Sequence, residues 1–142
     1  MSESAPGFQK HPGYQVEITP TSDHIRILSG KICLADSQRP IQVTETKHRP
    51  VWYLPLADVD SSIIVATDHS TYCPFKGHAS YWSVKADAAS VDDASLENSI
   101  WGYLNPYTEC EPLLNHVAFY TDRLTLEVNG ITQDESGPGW TS

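Results

Sequence analysis

The sequence predicts an all-β domain made of two packed antiparallel sheets. Three observations support this class: apolar and polar residues alternate with a period of two, the alternating segments recur about every 8–12 residues, and turn-forming residues separate them. Segments with the 3.6-residue periodicity of an amphipathic helix are scarce. Short strands at this spacing are typical of sandwiches and barrels, in which inward-facing and outward-facing side chains alternate.

About ten short strands are predicted, and the residues between them have the chemistry of turns. The strands cover residues 14–18, 24–28, 31–35, 41–45, 51–54, 62–67, 79–84, 100–104, 116–121 and 124–128. Turns are predicted at Ser29-Gly30, Asp122-Arg123 and Asn129-Gly130. Pro55 suits the start of one helical turn over residues 56–60. The aspartate-rich segment 86–98 is expected to form a solvated loop.

A single domain is predicted, with a mobile segment at each end. Residues 1–13 contain two Pro-Gly pairs and are expected to form a flexible arm. Residues 14–131 hold the predicted strands and form the domain. Residues 132–142 are expected to form a flexible tail, in which Trp140 is exposed to solvent and does not anchor the tail to the domain. At 142 residues the chain is long enough to bury one core without cross-links.

The charge of the chain argues against two classes of partner. Its formal net charge is −9 at pH 7, whereas binding to a nucleic-acid backbone or an anionic membrane surface requires a basic patch. No apolar run approaches the roughly 18 residues of a transmembrane helix, and the first ten residues lack the apolar core of a signal peptide. We therefore expect a cytoplasmic protein that binds neither nucleic acid nor membrane; a homodimer stays an open alternative.

The three cysteines, Cys33, Cys73 and Cys110, are widely spaced. No pair has the C-x-x-C spacing typical of zinc sites. An odd number of cysteines in a reducing compartment favours free, mostly buried thiols. The six histidines also lack metal-ligand spacing, so the sequence predicts no metal site and no cofactor.

Aromatic residues are concentrated in the middle of the chain, where eleven of the fourteen lie between Trp52 and Tyr120. One interpretation is an ordinary β-protein core. The other is a cage that stacks a flat or cationic ligand. Trp and Tyr together outnumber Phe by eleven to three. Because their N–H and O–H groups need hydrogen-bond partners, this ratio favours a partly polar cavity.

Residues 71–78 bring several reactive groups together in one short segment. Cys73 could act as a nucleophile if His69 or His78 removed its proton; a small buried residue is the alternative. Lys76 precedes a glycine at a predicted bend. Its amine is expected either to meet an anionic or carboxylate group of a ligand or to lie on a surface turn.

Two carboxylates flank the strand predicted over residues 51–54. Glu45 ends the preceding strand and Asp58 opens the following turn, so both could reach the edge of a pocket or stay solvated. Asp58-Val59-Asp60 has the D-x-D pattern of metal-dependent nucleotidyl transfer, but chance alone predicts such a triplet at this aspartate content. The sequence contains no G-x-G-x-x-G, G-x-S-x-G or H-E-x-x-H motif.

Several motifs together resemble domain-of-unknown-function family 427. They span residues 11–130, and the most specific is Cys-Pro-Phe-Lys-Gly-His-Ala at residues 73–79. The others are Leu34-Ala35-Asp36-Ser37, Arg39, Glu45, Trp52-Tyr53-Leu54-Pro55, Asp58-Val59, Thr71-Tyr72, Ser80-Tyr81-Trp82, Ile100-Trp101-Gly102-Tyr103, Asn105-Pro106 and Val117-Ala118-Phe119-Tyr120. Gly102 departs from the serine or similar residue usual there, which is expected to loosen a pocket wall.

The resemblance implies a β-tent fold, in which two antiparallel sheets meet at an angle, as in cereblon's ligand-binding domain and methionine sulfoxide reductase B. This chain lacks the paired cysteines of their zinc sites, so no metal is carried over. Some classifications attach a nucleotidyltransferase label to the family. By analogy with the cereblon cage, Trp82, Trp101 and Tyr103 are expected to stack a flat ligand. The family's polar motif residues, expected to converge in one cleft, are Arg39, Glu45, Tyr53, Asp58, Thr71, Cys73 and Lys76.

Three functions stay open from the sequence. The first is a small-molecule binding module, in which the aromatic rings stack the ligand and Arg39, Glu45 and Lys76 meet its polar edge. The second is an enzyme, with Cys73 or Glu45 as nucleophile or base and Lys76 as electrostatic stabiliser, or a metal-dependent nucleotidyltransferase. The third is a structural or protein-interaction domain, in which Lys76 and Glu45 are only paired in a core without a cavity.

Overall fold

A computed structural model describes residues 4–85 and 96–133. Within these residues the chain forms eleven strands in two antiparallel sheets, which confirms the predicted all-β class. The strands are β1 (Val16–Pro20), β2 (Ile25–Ser29), β3 (Ile32–Ser37), β4 (Ile41–Glu45), β5 (Val51–Pro55), β6 (Ile64–Cys73), β7 (Gly77–Val84), β8 (Ile100–Gly102), β9 (His116–Phe119), β10 (Thr125–Val128) and β11 (Ile131–Thr132). The helical segments are α1 (Pro6–Lys10) and 3₁₀ turns at Leu56–Asp58, Ser61–Ile63 and Thr108–Leu113.

The larger sheet has seven strands in the order β1-β4-β5-β9-β8-β7-β6, and the smaller has four in the order β11-β10-β2-β3. Many neighbouring strands are also consecutive in the chain, as expected for a protein built from hairpins. Asn129 and Gly130 connect β10 to β11 with φ angles of 52° and 84°. Two residues with positive φ match the right-handed twist of a hairpin, which explains why this predicted turn forms here.

The sequence located ten of these strands but misjudged some boundaries. β6 extends to Cys73, beyond the predicted end at residue 67, and β11 was not predicted. The predicted helical turn after Pro55 is the 3₁₀ turn Leu56–Asp58. Segment 86–95 of the predicted loop and most of the predicted tail, with Trp140, lie outside the described residues.

Part of the predicted N-terminal arm is packed against the domain. The Gly7 N–H donates a 2.9 Å hydrogen bond to the Pro74 carbonyl oxygen, and the Phe8 ring meets the Phe75 ring edge-on with centroids 5.0 Å apart. A Cβ at Gly7 would lie 2.7 Å from the Phe75 ring, so only glycine permits this approach. The flexibility predicted for residues 1–13 and the domain boundaries stay predictions.

The central strands β8 and β9 of the larger sheet are buried on both faces. The inner face of this sheet packs against the smaller sheet around a core that includes Ile25, Ile27, Leu34, Leu54, Ile100, Val117, Phe119 and Leu126. Its outer face carries a second cluster that includes Val43, Tyr53, Ala79, Tyr81, Trp101, Tyr103, Cys110, Leu113 and Ala118. Because side chains alternate along a strand, consecutive residues such as Ile100 and Trp101 serve different cores, which explains the continuous burial of β8.

Gly102 has a different role from the one expected. A Cβ there would lie 2.7 Å from the His116 carbonyl oxygen and 2.9 Å from Val117 Cγ1. The missing side chain therefore permits β8 and β9 to approach closely on the inner face. The expected effect on a pocket wall is wrong, because the side chain would point away from the outer cluster.

In the part of the chain that the structure describes, no helix has the length and apolar character needed to cross a membrane.

Candidate functional site

The outer face of the larger sheet contains a cavity of about 270 Å³, hereafter the pocket. Its walls come from the end of β4, the first half of β5 and the residues between them. Strand β8 with the residue after it, the turn between β6 and β7 and the segment before β1 complete them. The lining residues are Tyr14, Val43, Glu45, His48, Arg49, Val51, Tyr53, Tyr72, Cys73, Pro74, Phe75, Lys76, Trp101 and Tyr103.

An ion pair between Glu45 and Lys76 lies in the pocket. Glu45 Oε1 contacts Lys76 Nζ, and the two side chains are only 12% and 11% exposed. Glu45 Oε2 accepts a 2.6 Å hydrogen bond from the Tyr14 hydroxyl and lies 3.9 Å from His48 Nδ1. Both carboxylate oxygens of Glu45 therefore already have a partner.

The chain fixes Lys76 by its backbone as well as by its side chain. The Lys76 N–H donates to the Cys73 carbonyl oxygen at 3.3 Å, and the Lys76 carbonyl oxygen accepts from the Tyr107 N–H at 3.0 Å. Gly77 follows with φ +120°, a conformation that residues with a Cβ rarely adopt. The Cys-Pro-Phe-Lys-Gly motif thus forms a tight turn that directs the lysine into the pocket.

The pocket maintains both members of the pair in their charged forms. Burial raises the pKa of Glu45, but the Lys76 ammonium and the hydrogen bonds from Lys76 and Tyr14 outweigh it, so the pKa lies below its ordinary value. Burial lowers the pKa of Lys76, but the nearby Tyr103 and Glu45 outweigh that effect and raise it. The pair is therefore ionised at neutral pH.

Acidification is expected to weaken the fold through Glu45. Since the pKa of Glu45 is below 4.5 in the folded chain, the unfolded chain binds more protons, and the stability contributed by the pair falls as the pH decreases from about 4.5 through the folded pKa. Urea unfolding of the unmodified chain and of Glu45→Gln across this range measures the effect. The difference in unfolding free energy between them should shrink with falling pH; a constant difference would contradict this assignment.

Three aromatic side chains form the apolar wall. Tyr53, Trp101 and Tyr103 are 2%, 5% and 6% exposed. The Trp101 indole meets the Tyr53 ring edge-on, with centroids 6.2 Å apart, and its N–H donates to the Tyr53 hydroxyl oxygen at 3.2 Å. Lys76 Nζ lies 5.7 Å from the Tyr103 ring centroid, within the range of a cation–π contact.

Six of the ten residues predicted to bind a ligand line this pocket. They are Glu45, Tyr53, Cys73, Lys76, Trp101 and Tyr103. All three candidate catalytic residues, Glu45, Cys73 and Lys76, are among them. That these residues bind a ligand or react stays a prediction.

The other four predicted residues do not line the pocket, so the expectation of a single cleft is wrong for them. Arg39 donates two hydrogen bonds to Asp58, at 3.2 and 3.3 Å, and this contact lowers the pKa of Asp58. Thr71 shares a 2.8 Å hydrogen bond with the Tyr81 hydroxyl. Trp82 packs against the inner core, because in the β7–β8 register Tyr81, and not Trp82, is opposite Trp101.

The cysteines are free thiols. Cys73 is half-buried and lines the pocket, but neither histidine proposed as its base does. His69 packs against Tyr81 with ring centroids 4.5 Å apart, and His78 packs against Tyr72 at 4.8 Å. Burial raises the pKa of Cys110 to about 12, so this thiol stays protonated.

The two aspartates of the D-x-D pattern make local structural contacts. The Ser37 hydroxyl donates to Asp58 at 2.7 Å, and Asp60 Oδ1 accepts from the N–H and hydroxyl of Ser62 at 3.0 and 2.6 Å. Among residues 4–85 and 96–133, no three His, Cys, Asp or Glu side chains are grouped as metal ligands would be. The pattern therefore gains no support from the fold.

Sequence reasoning missed several lining residues. Tyr14 stacks on Phe75 with centroids 4.0 Å apart and an interplanar angle of 14°, which places its hydroxyl beside Glu45. Phe75 stands inside the specific Cys-Pro-Phe-Lys-Gly segment, so that motif was a usable signal. His48 and Arg49 are one and two residues after Lys47, whose φ of 63° marks the turn that follows β4. Nothing in their spacing pointed to a pocket.

A protein-family model described as a domain of unknown function (DUF427) matches residues 17–130. No curated protein matches the chain. The matched range includes every residue that lines the pocket except Tyr14.

Proposed function

Because this chain belongs to the DUF427 family, whose description assigns no activity, we propose from the geometry of its pocket that it binds a small molecule. The observation that carries the proposal is the enclosure of an ionised Glu45–Lys76 pair and three nearly buried aromatic rings around one open cavity. Proteins place such groups together in ligand sites, where apolar walls supply contact area and a few polar groups orient the ligand.

The dimensions of the pocket limit the ligand. A volume of about 270 Å³ lies just below the usual range of small-molecule sites, so a small metabolite fits and a polymer does not. The Tyr53, Trp101 and Tyr103 rings favour a flat ligand. Its polar edge would lie against Lys76.

The same geometry argues against a purely structural ion pair. A structural role predicted a Glu45–Lys76 pair packed in a core without a cavity, whereas here open space adjoins the pair. Replacing a buried ion pair by apolar side chains is often neutral or stabilising. A function for the charges therefore explains the pair better than stability does.

A metabolite screen tests the proposal. A ligand present at 100 times its Kd stabilises the folded chain by about 2.7 kcal/mol, so at least one compound should raise the melting temperature by several degrees and change tryptophan fluorescence. A screen that leaves both signals unchanged would remove the proposal.

A filled pocket provides the control. Val51→Phe adds a ring at a half-buried wall position and should abolish the response to a compound found in the screen. Val65→Phe makes the same change at a position that is 46% exposed on the edge strand β6 and should leave the response intact. Equal responses in the two variants would place the ligand outside the pocket.

The competing function is an enzyme, and the location of Cys73 in the pocket favours it. Cys73→Ser separates the two: a thiol-dependent enzyme should lose at least about a hundredfold in activity with an unchanged fold, whereas a binding module should retain its affinity.

A cytoplasmic location and a homodimer stay predictions from the sequence.

A further inference from the structure

The Tyr103 hydroxyl makes no hydrogen bond to another described residue. The side chain is nevertheless almost entirely buried, since the residue is 6% exposed, and it lines the pocket. No buried side-chain nitrogen or oxygen of the described residues is left without a partner, so the Tyr103 hydroxyl belongs to the small accessible part of its side chain. This hydroxyl therefore faces the pocket with an unfilled hydrogen-bonding capacity.

Tyr53 contributes a second donor. Its hydroxyl oxygen accepts from the Trp101 indole N–H at 3.2 Å, and an indole N–H is a donor only. The Tyr53 hydroxyl proton must therefore point elsewhere, and no described residue accepts it. Burial raises the pKa of both Tyr53 and Tyr103, so both hydroxyls keep their protons.

Lys76 completes the group. Its ammonium has three N–H donors, and its one hydrogen-bonding partner among the described residues is Glu45. Glu45 in turn is occupied on both oxygens by Lys76 and Tyr14. The inner pocket therefore offers several donors, while its carboxylate is already engaged.

Two further basic residues, His48 and Arg49, line the same pocket. Glu45 is the one carboxylate among the lining residues, so basic side chains outnumber acidic ones there, in a chain whose net charge is −9. The lining therefore offers a cation no second carboxylate, which favours an anionic ligand group.

We propose that Lys76, Tyr53 and Tyr103 form a carboxylate subsite, and that the ligand is a flat organic acid whose ring lies against Trp101. This inference rests on the proposed binding function and names the chemical class of the ligand. The ammonium and the two hydroxyls supply donors for both oxygens of a carboxylate, and charge-assisted hydrogen bonds are the stronger kind.

Three probes of one shape test the subsite: benzoate, the neutral benzamide and the cationic benzylamine. Titrations of the full chain followed by NMR should give the tightest binding for benzoate and the weakest for benzylamine. Tyr103→Phe removes only the hydroxyl and should weaken benzoate about 10–100-fold, the usual effect of a hydrogen bond to a charged group. Tyr81→Phe is the matched control, because its hydroxyl shares a 2.8 Å hydrogen bond with Thr71 and neither residue lines the pocket.

The outcomes separate the subsite from the pocket itself. Benzoate that binds no better than benzamide or benzylamine, or that binds Tyr103→Phe unchanged, overturns the subsite while ligand binding stands. If benzoate does not bind but a neutral or cationic metabolite from the screen does, the subsite is likewise overturned while ligand binding stands. If no probe and no screened compound binds, both proposals fail together.

Discussion

Replacing Glu45 with leucine is expected to destabilise the chain by about 3–5 kcal/mol, because it leaves the Lys76 ammonium buried without its partner. The lysine can escape by losing its proton. At 1.36 kcal/mol per pH unit, and from an ordinary pKa of 10.5, this costs about 4.8 kcal/mol at pH 7. The corresponding limit for the Glu45 carboxyl in Lys76→Met, from 4.5, is about 3.4 kcal/mol. Glu45→Leu should therefore be the more damaging change.

The double variant Glu45→Leu/Lys76→Met is the control for this pair. It removes both charges and leaves apolar side chains of similar size, so its stability should return close to that of the unmodified chain. Urea unfolding at pH 7 of all four proteins gives the coupling energy between the two residues. A coupling of several kcal/mol is expected. A value below about 1 kcal/mol is typical of exposed pairs and would contradict the burial described here.

The fold could be predicted because its signals are local. Alternation along a strand and the chemistry of turns are properties of neighbouring residues, and they located β1 to β10. The boundaries of β6 were harder, because its residues from Asp68 to Tyr72 are exposed and give no alternation. β11 has two exposed residues and forms through its pairing with β10, which no local pattern encodes.

The site was partly predictable for a related reason. The specific turn motif identified Lys76 and Cys73, and the end of β4 identified Glu45, because those positions depend on local sequence. Whether Trp82 or Tyr81 shares a face with Trp101 depends on the register between β7 and β8. A shift of one residue in register moves every side chain to the opposite face, so the sequence alone could not decide it.

Arg39 and Asp58 show the same limit for charged residues. Each was a reasonable candidate for the edge of a pocket, but the two bind each other, and Ser37 adds a further hydrogen bond to Asp58. A charged side chain in a motif is equally compatible with a structural partner and with a ligand. Only the spatial arrangement distinguishes these roles, and here it assigns them to a local ion pair.

Replacing Trp101 with alanine is expected to cost about 3–5 kcal/mol in unfolding free energy, the usual effect of removing a large buried aromatic side chain. The indole packs between Tyr53 and Tyr120, at centroid distances of 6.2 and 4.6 Å. Its removal also deprives the Tyr53 hydroxyl oxygen of a donor. The space left behind joins the existing pocket, because Trp101 is one of its walls.

That continuity predicts rescue by a small molecule. Free indole should enter through the pocket, fill the space and raise the melting temperature of Trp101→Ala in proportion to the logarithm of its concentration once binding is saturated. Apolar cavities created in protein cores bind such ligands. Trp82→Ala is the matched control, since it removes the same side chain from the opposite face, away from the pocket. Equal rescue of both variants would show that indole binding does not depend on the pocket. Rescue of neither would show that Trp101 does not border accessible space. Either result would remove the geometric basis of the binding function.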